Sequence, residues 1–487
     1  MAKRTDLKIP YGIADFKRIR NEGWYYVDKT EYVAMLEERD SFVFFVRPRR
    51  FGKSLFVDML RLYYDRNEKA NFEKLFGGLW LGEHPTENRN RYLVLALDFS
   101  KAGATGGRSL QECFDEYLTL RFDDFIYSYP DVFDDAFKAT IAKAGALGRF
   151  QAIADRARNR GLPIYLIIDE YDNFTNALIR STGTEPYRSI THGAGFYREW
   201  FKKFKGSVDR IFMTGVSPVT MDDLTSGFNI ASNVSQDEDF SAMLGFTTEE
   251  TLVLYRDFKG VGKYRDGDPE EIVRSIKPWY DGYCFSSRKV GKESVFNSDM
   301  VLYHLKSMVA KGVPPENMVD RNIATDYNKL ETIVELQRQA GAQNCLPAVS
   351  ELVEGVPYDV LSSFDVDRIL KTELLPTHLL NEGIIVPVKR YQGLTYYSFP
   401  NVVAGLSYLF LLNGWSSERD SYIVELKYSK PGATDAEVAA KAEEGIVQLR
   451  RYAADPAVPA LSAGTRLHLI LYQFQGTELI RVEEIAP

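Results

Sequence analysis

The sequence is poor in the residues that form disulfides and structural metal sites. Only 3 cysteines and 5 histidines occur among 487 residues, and neither type is clustered. An odd, widely spaced set of cysteines excludes a disulfide framework, and the lack of grouped cysteine and histidine ligands excludes a structural zinc site. This cysteine usage is typical of a reducing compartment, so we expect a cytoplasmic protein.

Long apolar runs and an excess of positive charge are also missing. No run approaches the roughly 20 apolar residues that a membrane-spanning helix needs, so we expect no membrane association. The basic residues near the amino terminus precede no apolar segment, so no signal peptide is expected. The formal net charge of −8 argues against a protein that coats nucleic acid through its overall field, but it leaves room for a local basic groove.

The composition is that of a folded protein with more than one domain. Apolar residues make up 45% of the chain and charged residues 26%, and about two to four domains are expected at this length. In the first half, short apolar runs alternate with helical patterns, which predicts an α/β domain with a largely parallel sheet. Strands are predicted at 42–46, 92–99, 164–168 and 210–214, and helices at 53–65 and 109–127.

An arginine-rich loop follows the first predicted strand. It reads Arg-Pro-Arg-Arg-Phe-Gly-Lys-Ser from position 47 to position 54 and precedes a helix. This is the order of a P-loop, in which main-chain amides and a lysine surround the phosphates of a nucleotide. We expect Lys53 to contact the β- and γ-phosphates and the Ser54 hydroxyl to bind Mg²⁺. The predicted nucleotide-binding residues of the loop are Arg47, Arg50, Gly52, Lys53, Ser54 and Leu55.

Arg47 stands where the P-loop pattern has its first glycine, which leaves an alternative open. The loop could be a basic surface turn that merely precedes a helix. A second signal favours the P-loop, because the apolar run at 163–168 ends in Asp169 and Glu170. In P-loop enzymes such a strand lies beside the loop strand. Its Asp holds magnesium through water, and its Glu polarises the water that attacks the γ-phosphate. We therefore predict an ATP (or GTP) and Mg²⁺ site with Asp169 as metal ligand and Glu170 as catalytic residue.

The strand that begins at position 210 carries a candidate for a third catalytic group. It ends in Thr214, which would contact the γ-phosphate or the attacking water, with Ser217 in reserve. The alternative is an ordinary strand end with a capping hydroxyl. Asp98, at the end of the second predicted strand, is a weaker candidate for the same site.

The pattern changes from about position 247. Thr247 and Glu250 are spaced as a capping box that opens a run of amphipathic helices. The last part returns to strands around a helix, with predicted elements at 421–428, 435–452 and 466–474. We predict three domains: 1–245 with a P-loop, 246–401 mainly helical, and 402–487 a small α/β module.

A strand of the last module carries a Glu-x-Lys pair. Because side chains alternate along a strand, Glu425 and Lys427 share one face. In metal-dependent nucleases such a face binds a divalent cation through the Glu, while the Lys supports the attacking water or the developing phosphorane charge. The alternative is an exposed salt bridge, which strand faces often carry.

Several motifs occur together in one order and resemble the AAA-ATPase-like family of bacterial proteins. The motifs lie at 25–30, 47–54, 168–172, 214–218, 279–283 and 399–401. The resemblance implies an AAA-like P-loop ATPase domain, a mainly helical (lid or winged-helix-like) middle domain and a C-terminal PD-(D/E)XK nuclease-like domain. It also explains Arg47, since the family has an arginine-rich loop. Gln448 and Tyr452 match the Gln-x3-Tyr pattern of the nuclease superfamily.

The resemblance also implies an aspartate that the module does not offer. The superfamily has an Asp on a strand before Glu-x-Lys, and Asp420 is poorly placed for this role, five positions before Glu425. Either the module is shortened and inactive, or a segment near 409–420 is missing from the sequence. Two functions stay open: an ATPase coupled to a nuclease acting on DNA or RNA, or a nucleotide-gated interaction protein whose nuclease-like domain binds without cutting. A homo-oligomer fits either function.

Overall fold

The structure is a computed structural model with two compact units. The residues that it describes are 7–102, 108–173, 195–216, 232–320, 352, 355–357, 375–391, 394–413, 420–430, 432–455, 458, 466–475 and 478–486. Of the described residues, those up to Gly245 belong to the first unit and those from Phe246 onward to the second.

The first unit is built on a parallel sheet. Its strands are β1 (Phe42–Val46), β2 (Leu93–Asp98), β3 (Ile164–Asp169), β4 (Arg210–Gly215) and β5 (Ser232–Asn233). They form a five-stranded sheet in the order β2-β3-β4-β1-β5, in which every neighbouring pair is parallel. The first four are the strands that the sequence predicts. Their continuous apolar runs follow from burial on both faces, which parallel sheets require.

Nine described helices accompany this sheet. They are α1 (Phe16–Glu22), α2 (Glu31–Glu37), α3 (Lys53–Tyr64), α4 (Phe72–Phe76), α5 (Trp80–Glu83), α6 (Leu110–Ser128), α7 (Asp135–Ile141), α8 (Ala146–Asn159) and α9 (Phe196–Ser207). Helix α6 begins with a capping box, in which the Ser109 hydroxyl accepts from the Glu112 amide while the Glu112 carboxylate accepts from the Ser109 amide. Such reciprocal bonds satisfy amides that the first helical turn leaves without partners.

The two faces of the sheet carry different helices. Leu95, Leu166 and Met213 lie in one core cluster with side chains of α6, α8 and α9. Helix α3 packs on the opposite face, where the rings of Tyr64 and Tyr165 lie 4.6 Å apart between centroids. Side chains alternate along a strand, so Asp169, four positions after Tyr165 on β3, also emerges on the α3 side.

The second unit begins with helices and contains a small antiparallel sheet. Its first helices are α10 (Thr248–Phe258), α11 (Pro269–Tyr280), α12 (Ser298–Lys311), α13 (Leu375–Asn381) and α14 (Val402–Asn413). The strands β6 (Val356–Pro357), β7 (Val386–Tyr391) and β8 (Leu394–Ser398) form a three-stranded sheet in the order β6-β8-β7. The mainly helical region therefore includes a β-hairpin that the sequence does not predict.

The turn after α11 needs a glycine. Gly282 has a φ of 91°, and a Cβ at this position would overlap the main-chain carbonyl of Pro400. Beside it, the side-chain amide of Asn401 donates to the Asp281 carbonyl at 2.7 Å. These contacts tie the end of α11 to the start of α14.

The carboxyl-terminal part is the small α/β module that the sequence predicts. Its strands β9 (Asp420–Ser429), β10 (Arg466–Gln475) and β11 (Glu478–Ile485) form a sheet in the order β11-β10-β9, and α15 (Asp435–Ala453) connects β9 to β10. Strands β9 and β10 are parallel, and β10 and β11 are antiparallel. Leu449 and Leu471 belong to a core between α15 and one face, while Val402 and Phe474 belong to a core on the other face.

A membrane span was sought over the whole described part of the chain. None of the helices there combines the length and the apolar character that crossing a bilayer demands.

Candidate functional site

The loop between β1 and α3 has the backbone geometry of an anion-binding turn. Arg50 and Gly52 both have left-handed backbones, with φ of 68° and 92°. Gly52 is the N-cap of α3, so the helix begins at Lys53. Left-handed residues next to a helix start leave consecutive main-chain amides without helical partners, which is how phosphate-binding concavities form. Arg50 adopts this conformation despite its side chain, which is uncommon for a residue other than glycine.

Lys53 lies inside the loop. Its ammonium donates to the main-chain carbonyls of Arg47 at 3.0 Å and Pro48 at 2.9 Å, and the side chain is buried. Burial lowers the pKa of Lys53, and the charges of Glu170 and Asp169 oppose that effect. The Lys53 ammonium therefore lies between the loop carbonyls and the carboxylates of Asp169, which ends β3, and Glu170, which follows it.

Ser54 and Asp169 meet across α3 and β3. Both residues line one cleft. Burial raises the pKa of Asp169, and the Ser54 hydroxyl counteracts that rise. Asp98 lies level with Asp169 on the neighbouring strand, but it forms an ion pair with Lys101 at 2.9 Å. A hydroxyl and a carboxylate are the hard oxygen donors that Mg²⁺ prefers, and Mg²⁺ commonly takes few ligands from the protein. This pair therefore fits a magnesium ion.

Glu170 occupies a strained turn directly after β3. Its φ is 52°, a conformation that costs a residue other than glycine about 1–3 kcal/mol. The Glu170 amide donates to the Asp169 carboxylate at 2.9 Å. Burial raises the pKa of Glu170, and the negative charge of Asp172 raises it further. A carboxylate with a raised pKa is better suited to accept a proton near neutral pH.

Thr214 brings an unsatisfied hydroxyl to the same edge of the sheet. The side chain is 1% exposed, and its hydroxyl has no hydrogen-bond partner among the residues that the structure describes. In the register of the sheet Thr214 pairs with Phe45 of β1, and alternation places it on the α3 side, opposite Met213. A buried hydroxyl without a partner is unusual and fits a group that contacts a ligand. Ser217 lies outside the described residues.

Arg47 does not turn toward the phosphate-binding turn, contrary to the expectation that it binds nucleotide. Its guanidinium is 2% exposed and donates to the main-chain carbonyls of Val46, Ser235 and Phe240. It also lies over the Phe45 ring, 4.2 Å from the centroid. The side chain therefore anchors the loop to the segment after β5. The buried guanidinium of Arg47, which replaces the first glycine of the P-loop pattern, thus stabilises the loop. The main-chain carbonyl of Arg47 still accepts from the Lys53 ammonium.

The remaining residues predicted for the loop are less tightly defined. Arg50 and Leu55 are half-buried and flank the turn on either side of Gly52. Ser54 is exposed and lines a cleft of about 680 Å³ together with Asp98 and Asp169. The cleft makes the Ser54–Asp169 pair accessible from solvent.

Sequence reasoning assigned no role to Asp172, which is a buried part of this site. The residue is 2% exposed, and its carboxylate accepts from the Val216 amide at 3.2 Å. Nearby, the Tyr171 amide donates to the Thr214 carbonyl at 3.2 Å. These bonds join the turn that carries Glu170 to the end of β4. The signal available in the sequence was a third acid, three positions after Asp169.

The Glu-x-Lys pair of the second unit lies on the face of β9 that packs against α15. The Lys427 ammonium contacts the carboxylates of Glu425 at 3.1 Å and Glu444 at 2.9 Å, and it also donates to the Gln448 side chain. Although burial lowers the pKa of Lys427, the two carboxylates raise it above its ordinary value. Lys427 and Glu425 are largely covered while Glu444 is half-exposed, so the pair belongs to a partly buried ion-pair cluster and is not an exposed salt bridge. Tyr452 is 37% exposed on the same helix.

The strand-borne aspartate that the resemblance implies is missing from the described part of this cluster, whose second acid is Glu444 of α15. Among the described residues no group of three acidic, histidine or cysteine side chains could hold a metal ion. Within the described strands β9 bonds to β10 alone, so no preceding strand pairs with it. Asp420 begins β9, an odd number of positions before Glu425. Residues 414–419, where the sequence suggests a missing segment, lie outside the described part.

Comparison with known proteins assigns families to both ends of the chain. Residues 10–225 match the family model of predicted AAA-ATPases, and residues 401–484 match the model of the PD-(D/E)XK nuclease superfamily. The chain therefore joins an AAA-ATPase-like region to a PD-(D/E)XK superfamily region, and the resemblance drawn from the motifs is confirmed. The predicted fold class is confirmed with it. The three domain boundaries stay a prediction.

One curated relative is an uncharacterized protein in the vnfD 5′ region of Azotobacter chroococcum mcd 1, which is 29% identical over 303 residues. The match covers 61% of this chain and 52% of the relative, so the chain spans about half the length of the curated relative it matches. The Aeropyrum pernix ORC2 protein, solved as ADPNP and ADP complexes, is 11% identical with a TM-score of 0.28. That comparison covers 81% of this chain and 96% of the ORC2 chain, and its score is too low to support an argument.

Proposed function

We propose that the first unit binds and hydrolyses ATP with magnesium. The observation that carries the proposal is the Ser54–Asp169 pair beside the buried Lys53 and the strained Glu170. A lysine and a hydroxyl at the start of a helix, with two carboxylates at the end of the neighbouring strand, are the components of a phosphoryl-transfer site. The AAA-ATPase-like match favours ATP over GTP.

Each residue has a chemical role in this proposal. Lys53 moves from the loop carbonyls to the β- and γ-phosphates, and the amides from Gly52 onward bind phosphate oxygens. Ser54 and Asp169 hold magnesium, which would neutralise charge on the phosphates when bound. Glu170 accepts a proton from the attacking water, and the Thr214 hydroxyl donates to the γ-phosphate or orients that water.

The test is magnesium-dependent ATP hydrolysis by the whole chain. Glu170→Gln should lower kcat by about 10²–10⁴-fold, because the base is lost, while ATP binding persists. Lys53→Ala should abolish turnover and weaken binding. Glu116→Gln, at an exposed carboxylate on α6, is the matched control and should hydrolyse ATP at the wild-type rate. Undiminished turnover in Lys53→Ala would contradict the proposal.

We further propose that the nuclease-like module acts on nucleic acid by binding it without cutting. The alternative, cleavage of DNA or RNA, needs a divalent cation at Glu425. The observation that favours binding is the Lys427 ammonium, which is held between Glu425 and Glu444. Because the lysine already contacts both the strand-borne Glu425 and the helix-borne Glu444, a metal ion would have to displace it.

A cleavage assay distinguishes binding without cutting from cleavage of DNA or RNA. End-labelled DNA and RNA, single- and double-stranded, are incubated with the chain and Mg²⁺ or Mn²⁺. No products are expected. Products that disappear in Glu425→Gln would reverse the assignment in favour of a nuclease, and a natural gene with an acid-bearing segment between 409 and 420 would point the same way. The cytoplasmic location and the homo-oligomer stay proposals from the sequence.

A further inference from the structure

A groove of about 780 Å³ lies between α11 and β9. Its floor is apolar, because Val402, Leu426 and Phe474 belong to the core that joins α11 and α14 to this face of the sheet. The volume falls within the roughly 300–1,000 Å³ of typical ligand sites. The groove is therefore large enough to receive more than one planar group.

The rim of the groove combines aromatic rings with free cations. Tyr428 is 42% exposed, and Trp279 is half-buried beside it in the lining. Arg274 and Lys430 are exposed, and among the described residues neither side chain has an acidic partner within 4 Å. The lining also carries one exposed carboxylate, Glu271, so exposed cations outnumber exposed acids in the groove by two to one. This excess of positive charge beside aromatic rings gives the groove a rim that attracts anions.

Aromatic rings and unpaired cations in one groove suit unpaired nucleotides. A base of any identity stacks on an exposed ring, and cations along a groove follow the phosphates. The bases of a duplex are already stacked and cannot enter such a groove. We propose that this groove binds a short stretch of single-stranded nucleic acid. Bases stack on Tyr428 and Trp279, and phosphates contact Arg274 and Lys430.

The position of the groove explains why binding would not lead to cutting. Leu426 and Tyr428 alternate with Glu425 and Lys427 along β9, so the two sets face opposite sides of the sheet. Lys427 also lines the groove, but its ammonium contacts Glu425 and Glu444 on the face that packs against α15. A nucleic-acid strand in the groove is therefore held away from the Glu425 carboxylate. The inference rests on the proposed nucleic-acid role of this module, and it does not depend on ATP hydrolysis.

Fluorescence anisotropy tests the proposal with the whole chain and a labelled oligothymidylate of about 20 nucleotides. Tyr428→Ala should weaken binding by about 5- to 100-fold, because stacking is lost. The double variant Arg274→Ala/Lys430→Ala should weaken binding and reduce the slope of log affinity against log salt by about 1.4, since each phosphate contact on a single strand contributes about 0.7.

Matched controls remove the same groups elsewhere in the second unit. Tyr391→Ala deletes a tyrosine that is 59% exposed on β7, and Lys263→Ala/Lys311→Ala deletes two exposed cations. Both should bind like the wild type, and all variants should keep the wild-type melting temperature and ATP turnover. The same measurement with labelled oligouridylate shows whether the groove prefers RNA or DNA.

Three results would overturn the proposal. The first is equal binding by the groove variants and the controls, and the second is a preference for duplex over single strand. The third is no saturable binding of either oligonucleotide by the wild type, which would leave the groove to a peptide partner. Loss of ATP turnover in Glu170→Gln with intact oligonucleotide binding would support both proposals separately.

Discussion

Gly215, the last residue of β4, has no room for a side chain. A Cβ there would overlap the Asp172 carboxylate and would lie 2.8 Å from the Tyr171 ring. Gly215→Ala should therefore destabilise the first unit by about 1–3 kcal/mol and lower ATP turnover, because it separates Thr214 from the turn that carries Glu170. Gly206→Ala in α9, where a Cβ meets nothing within 4 Å, should gain about 0.5–1 kcal/mol. Thermal melting of both variants measures the contrast, and equal melting temperatures would refute it.

His304 makes the stability of the second unit depend on pH. It is 1% exposed and hydrogen-bonded to the Tyr255 hydroxyl at 2.7 Å, and burial lowers the pKa of His304 to about 4. The unfolded chain takes up this proton near pH 6.5 and the folded chain near pH 4, so stability falls as the pH drops through this window. The loss at pH 5 is about 2 kcal/mol. The melting temperature should therefore decline more between pH 7.5 and pH 5 in the wild type than in His304→Gln. Equal declines in the two proteins would show that His304 does not cause the pH dependence.

The identity of single residues was predictable where the chemistry needs one residue type, and not where packing decides. Lys53, Ser54, Asp169 and Glu170 follow from the spacing of a P-loop and an acidic strand end. Arg47 was assigned to the nucleotide because a basic residue in such a loop suggests phosphate. Two of its three carbonyl partners, Ser235 and Phe240, lie 188 and 193 positions later in the chain, and such long-range contacts are not encoded in the local pattern.

Helix α10 shows how much a helix start depends on two side chains. Thr247 and Glu250 each bond to the other's main-chain amide, at 3.2 and 2.7 Å. Thr247→Ala leaves one amide without its partner and should lower the stability of the second unit by about 1 kcal/mol. Thr247→Ser keeps the hydroxyl and should melt close to the wild type. Denaturant midpoints of the two variants measure the difference, and a serine variant as unstable as the alanine variant would show that the Thr247 methyl group matters instead.

Elements with strong local signals were predicted closely. The first four strands and the capped helices carry continuous apolar runs or capping residues, and the structure confirms them. The hairpin of β7 and β8 was missed because its strands are short and carry polar residues such as Lys389 and Arg390. The partnership of α11 with β9, which forms the groove, joins segments more than 140 positions apart. Helical periodicity identifies such a helix but not the sheet that it covers.

The whole molecule separates two chemistries into two compact units. The residues of the proposed nucleotide site lie in the first unit, and the Glu-x-Lys pair and the groove lie in the second. Family motifs indicate both regions from the sequence alone, because phosphate and metal chemistry restrict residue types. The sequence does not indicate whether nucleotide in one unit changes binding in the other. That property is a coupling free energy between two sites, and no local pattern contains it.

Coupling can be measured with Glu170→Gln, which should hold ATP without turnover. If nucleotide gates the second unit, the affinity of this variant for oligothymidylate should change about 5- to 150-fold when ATP and magnesium are added. Binding free energies are reciprocal, so saturating oligothymidylate must change the affinity for ATP by the same factor. When Tyr428→Ala is added to Glu170→Gln, the same concentration of oligothymidylate should no longer change the affinity for ATP. When Tyr391→Ala is added instead, the change in ATP affinity should persist. A ratio of one in both directions would mean that the units bind their ligands independently, and the ATPase would then have to act through something other than this groove.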